Sequence, residues 1–139
     1  MPEKKTIERA RQDKREGKSP TTQAGEFVRE EMEHIREGKH GARSTKQAIA
    51  IGLSKARRAG VPLPPPKKGR VSERTRRSAE RAYEVGQGKK PARAPSRTRS
   101  RAVTHALEEE PTSTVSKQAL AQQAKTAARR RKQGANKER

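Results

Sequence analysis

"GKHGARSTKQAIAIGLSKARRAGVP", residues 38–62, is the stretch whose reading decides the fold. Ser44 followed three residues later by Gln47 matches a capping box, in which each side chain satisfies an orphan backbone N–H at a helix start. Ile49, Leu53 and Ala56 recur at i, i+4 and i+7 and predict an apolar stripe. Gly60 ends the helix and Pro62 prevents its return. Gly52 costs about 1 kcal/mol relative to Ala in a helix interior, so its presence points to close approach by another backbone. Gln47, Ile51, Ser54, Lys55 and Arg58 fall on the opposite, outer face.

Upstream, Ser19 and Pro20 predict a second helix start, and Gly38 its end. With Val28 at the centre of a helical wheel, Ala24, Met32 and Ile35 lie within about 40° of it. Phe27 sits on the shoulder, and Glu26, Glu30, Glu33 and Glu37 face outward. Two stripes joined by the short "KHGAR" connection predict an α-helical hairpin over 19–60, or a helix-turn-helix-like pair. Residues 1–18 alternate charge sign, with only Ile7 and Ala10 apolar in the helical part. They read as a charged N-terminal arm, a frayed helix that buries no face.

Downstream, "VPLPPPKKG" (61–69) predicts an extended, semi-rigid Pro-rich linker that separates the hairpin from the remaining 70 residues. Residues 70–139 read as a basic tail with isolated helices near 72–85 and 115–132. The first has Ser72 as its cap, a thin stripe of Ala79, Ala82 and Tyr83, and a basic surface of Arg70, Arg74, Arg76, Arg77 and Arg81. "KKPARAPSRTRSRAVTH" between them is low-complexity and predicts disorder. Lys117–Ala121 echoes Lys46–Ala50, which reads as shared helix propensity more readily than as duplication.

Composition sets the fold class. Leu, Ile, Val and Phe number 15 in 139 residues, below the roughly 20% at which disorder becomes the default for a highly charged chain. Mostly α structure with extensive disorder, one helical hairpin plus isolated helices, and no sheet is the expectation. The net charge is +20, with ten bases and nine acids in residues 1–40 and 26 bases and seven acids in 41–139. A balanced head and a basic body predict a polyanion as partner. Cys is absent, so disulfides and thiolate metal sites are excluded. No apolar run predicts a secretory leader or a membrane span.

Over residues 1–70, most closely over 26–60, the sequence resembles a group of small basic bacterial proteins built around the same "GKHGARSTKQAIAIGLSKARRAG" block. That group is treated as a domain of unknown function, often labelled DNA-binding. The resemblance implies a bacterial cytoplasmic protein associated with the nucleoid and carries over no catalytic residue.

Nucleic-acid contacts are expected from Lys39, His40, Arg43, Lys46, Gln47, Ser54, Lys55, Arg57 and Arg58 on and before the quoted helix. They are also expected from Lys67, Lys68 and Arg70 after the prolines, from Arg97, Arg99 and Arg101, and from Arg129, Arg130 and Arg131. Arg and Gln pair with guanine and adenine edges in a major groove, and Lys and Arg neutralise phosphates anywhere; the second role is favoured here. Phe27 and Tyr83 are the only aromatics, which argues against a single-strand stacking platform and for duplex DNA, with RNA as the alternative. His34, His40 and His105 show no metal-ligand spacing, and "GQGKK" (86–90) lacks the strand of a phosphate loop. No cofactor, no metal and no enzymatic activity are expected. A protein-interaction role through the hairpin, including self-association, is the third reading.

Overall fold

Serine hydroxyls open the helices. Ser19 Oγ accepts the Thr22 N–H at the start of α2 (Pro20–Arg36), and Ser44 Oγ accepts the Gln47 N–H at the start of α3 (Thr45–Arg58). Ser72 and Ser96 do the same for α4 (Glu73–Gly86) and α5 (Arg97–Glu109). Ser116 Oγ accepts the Ala119 N–H in α6 (Lys117–Lys137), which comes after a 3-10 turn at Ser113–Val115. The first helix, α1 (Lys4–Arg15), has no side-chain cap. This computed structural model describes residues 2–93 and 96–137, with side chains as far as 134, and these contain no strand. The all-helical expectation holds; the extensive disorder does not.

The hairpin forms, but its contact line is rotated by one residue from the expected stripe. Ala48, Gly52 and Ala56 are the buried row of α3, while Ile49 and Leu53 flank it half-buried. The reason is the closeness of the two backbones. A Cβ built on Gly52 would sit 2.6 Å from Val28 Cα, so only small side chains fit the seam and the bulky ones fill its edges. On α2, Ala24, Phe27, Met32 and Ile35 are buried, joined by Gln23, Glu30 and Glu31. Glu30 does not face outward as its place on the helical wheel predicts. It is buried because α1 covers that side of α2: the Glu3 backbone N–H donates to Glu30 Oε1 at 2.7 Å.

Residues 1–18 therefore do bury a face. Thr6, Ala10 and Asp13 are buried against α2, and Ala10 joins Ala24, Phe27, Ala56 and Val61 in one core cluster with Ile7 beside it. The Pro-rich segment is likewise part of this core. Val61 is buried in it and Leu63 packs on it, while Arg57 donates from Nε to the Leu63 carbonyl and from Nη2 to the Pro64 carbonyl, both at 3.2 Å.

The helices after the prolines are not isolated. α4 lies on α3 with Ala79 and Ala82 buried. A Cβ on Gly86 would fall on the Arg57 carbonyl oxygen, and Gln87 Nε2 donates to the Gly60 carbonyl at 3.1 Å. Val115, only 1% exposed, completes a second core cluster with Met32, Ile35, Ala42 and Ala48, and Leu120 of α6 packs on it. The hairpin loop is tied to the same region. Gly41 N–H donates to the Leu107 carbonyl at 2.7 Å and Ala42 N–H to the Pro111 carbonyl at 3.0 Å. Thr114 Oγ1 donates to the Ala42 carbonyl and Thr45 Oγ1 to the Thr114 carbonyl. The segment expected to be disordered holds α5, a helix with no buried residue, started by Ser96 and continued by good helix formers. Ala94 and Pro95 of that segment lie outside the described residues.

Candidate nucleic-acid interface

The basic residues do not spread evenly. The last turn of α3, the middle of α4, the segment after it and the first turn of α5 enclose a groove of about 500 Å³. It is lined by Arg58, Arg81, Arg93 and Arg99, with Ala82, Val85, Ala92 and Ser96 as floor and walls. Each arginine arrives from a different piece of structure. Arg58 is held by the packing of α3, Arg81 by the buried Ala79 and Ala82 of its own helix, and Arg99 by the cap that Ser96 gives α5. No acidic side chain lines the groove, and none of the four arginines forms an ion pair among the described residues. The positive end of the α5 macrodipole adds to the same potential.

Arg76 and Arg77 of α4 are instead paired with acids of the same helix. Arg76 binds Glu73 and Glu80, and its guanidinium is held above its ordinary pKa chiefly by the Glu73 hydrogen bond. The same bond holds the Glu73 carboxyl below its ordinary value. Lys90 pairs with Glu84 at 2.9 Å.

Of the residues expected from sequence, Arg58 and Arg99 are brought together in this groove. Lys46, Ser54 and Arg57 line a different one, about 460 Å³ between α3 and α4, with Pro66, Val71 and Gln123. Arg57 is turned inward, 7% exposed, and burial lowers its pKa; its donors are used on carbonyls. Gln47 is used on the helix cap, accepting the Arg43 N–H at 2.7 Å. Lys55 is bound to buried Glu31, and His40 lies against Glu31 as well. Lys39 pairs with Glu37 at 3.3 Å. Arg43, Lys67, Lys68, Arg70, Arg97, Arg101, Arg129, Arg130 and Arg131 are exposed, outside the four-arginine groove. Within the hairpin, the apolar stripes of α2 and α3 are covered by α1, α4 and Val115.

Sequence reasoning missed Arg81 and Arg93 as members of one site. Arg81 is visible as a base opposite the Ala79–Ala82 edge of its helix, but nothing local indicates that α4 folds back on α3.

Residues 4–68, spanning α1 to the prolines, match a family of unknown function, DUF6496. That agrees with the domain of unknown function expected from the 26–60 block and leaves α4, α5 and α6 outside the match. No curated protein and no solved structure matches the chain.

Proposed function

We propose that the chain binds nucleic acid through its phosphates, duplex DNA in the first place, as a nucleoid-associated protein with little sequence preference. The observation that carries this is the convergence of Arg58, Arg81, Arg93 and Arg99 on one groove without an acid. Four guanidiniums, three from helices and Arg93 from the segment between α4 and α5, present paired donors to successive phosphate oxygens. The excess of positive charge outside residues 1–40 supplies attraction from any direction, and released counterions drive association. Arg101, Arg129, Arg130 and Arg131 add peripheral contacts. No helix among the described residues is long and apolar enough to cross a membrane.

Each phosphate contact contributes about 0.9 to the slope of log affinity against log salt on duplex DNA. Anisotropy titrations of a short duplex between low and moderate salt test the proposal. Replacing the four arginines by Gln together should lower the slope by about 3 to 4. The same charge loss on α1, at Arg9, Arg11, Lys14 and Arg15, should leave most of it. Equal losses from the two variants, or no binding by the parent chain in dilute buffer, would refute the groove as the binding surface. Competition by folded RNA that beats duplex at equal charge would assign RNA instead.

A further inference from the structure

α2 presents Glu31 and His34 to the loop that carries His40, and Glu30 to the start of α1. Glu31 is fully buried; its Oε1 receives the Lys55 ammonium, and its Oε2 is buried with no hydrogen-bond partner. Glu30, 3% exposed, is in the same condition: Oε1 accepts the Glu3 N–H, and Oε2 is buried and unpartnered.

His40 sharpens the problem. Its Nδ1 lies 2.9 Å from the Gly41 carbonyl oxygen. A carbonyl only accepts, so Nδ1 carries a proton. In the neutral ring Nε2 then turns its lone pair toward Glu31 Oε2, 3.3 Å away. In that form two electron-rich atoms face each other, and a proton or a metal cation between them removes the repulsion. His34 closes the group: its Nε2 is 3.8 Å from Glu30 Oε1 and 3.3 Å from Glu3 Oε1, and its ring meets that of His40 edge-on at 6.4 Å. One donor atom each from Glu31, His34 and His40 lie within 4.8 Å of one another.

We propose that Glu31, His34 and His40 bind a first-row divalent cation of the zinc type, with Glu3 and Glu30 as further carboxylates beside His34. Two imidazoles and a carboxylate suit such an ion and disfavour Mg²⁺ or Ca²⁺. Zinc–donor distances of about 2.0–2.2 Å place donors about 3.4 Å apart, reached here by small side-chain rotations. The backbone carbonyl on His40 Nδ1 is the usual outer partner that aims a metal-binding imidazole. Bound metal would close the loop from α2 onto α2 itself. Residues Glu31 and His34 are one helical turn apart; His40 comes from beyond the helix end, which is why sequence spacing alone conceals the set.

The test is calorimetric titration of the untagged, chelator-stripped full chain with Zn²⁺, and with Mg²⁺ for contrast. One Zn²⁺ per chain should bind saturably, and Mg²⁺ should not. His34→Gln and His40→Gln should each weaken binding at least tenfold, while His105→Gln, on the exposed face of α5, should not. Co²⁺ added to the parent chain should give visible bands of a low-coordinate nitrogen–oxygen site, a reading that needs no variant to fold. Absence of saturable Zn²⁺ binding and of cobalt bands in the folded chain would overturn the assignment. So would an affinity indifferent to His40→Gln in a variant whose helicity is intact; His40 is then an imidazolium paired with Glu31.

Discussion

Gly52 and the Glu31–Lys55 pair show what single residues contribute. Gly52 lowers helix propensity, yet it sets the distance between α2 and α3, because any Cβ there meets the Val28 backbone. Gly52→Ala should therefore destabilise by about 1–2 kcal/mol, overpacking outweighing the propensity gain of roughly 1 kcal/mol; urea unfolding monitored by circular dichroism measures it. The ion pair is asymmetric. Glu31 has 1% of its side chain exposed and Lys55 29%. Lys55→Met leaves a carboxylate in the core and should cost about 3 kcal/mol at neutral pH, whereas Glu31→Gln lets the lysine swing to water and should cost about 1 kcal/mol. Equal losses, measured in chelating buffer, would show that the carboxylate is not held charged by the lysine. Gly52 was legible as a close approach. The buried glutamates were not, since a helical wheel assigns them by polarity and cannot know that α1 and the hairpin loop cover them.

α1, α3 and α4 are secured largely by small residues, Ala10 on α1, Ala48, Gly52 and Ala56 on α3, and Ala79 and Ala82 on α4. α1 docks with Ala10 and the flank of Ile7, and its ends are fixed by carboxylates. Glu3 is held below its ordinary pKa first by the His34 hydrogen bond, and Glu16 first by Gln12, then by Lys18. A carboxylate with a depressed folded pKa stabilises above its unfolded value, 4.5 here, and that contribution is lost as pH falls through the folded pKa. The amide protection factors of α1 relative to α3 should accordingly be flat above about pH 5 and fall below 4.5; an α1 that loses protection at alkaline pH instead would reverse the assignment. The starts of α2, α3 and α4 were legible because the caps at Ser19, Ser44 and Ser72 act within four residues, whereas the same cap at Ser96 lay in a stretch whose composition reads as disordered. Docking was not, because its determinants on α1, α4 and α6 are single alanines, one valine and one leucine, spaced too sparsely to form a periodic pattern.

At the scale of the molecule, a chain with 15 large aliphatic and Phe residues in 139 packs because it builds its core from Ala24, Ala42, Ala48, Ala56, Ala79 and Ala82. A count of large apolar residues therefore underestimates what close helix approach can bury. The consequence for function is geometric. The sequence reads as a shape-giving hairpin with a flexible electrostatic tail. The structure instead packs α4 and α6 onto α3 and ties the end of α5 to the hairpin loop, and the same turn that places Gly86 on the Arg57 carbonyl brings Arg81, Arg93 and Arg99 beside Arg58. Deleting residues 67–139 would then uncover core at Ala48 and Ile35, where Val115 and Leu120 pack, as well as remove charge, so loss of binding in such a fragment is uninformative. Hydrogen exchange of the full chain with and without a duplex reads the claim directly. Protection on binding should concentrate at 57–60, 78–86, 92–93 and 96–102, the four pieces that line the groove. Protection confined to α6 beyond residue 128, or appearing on α1 and α2, would contradict it.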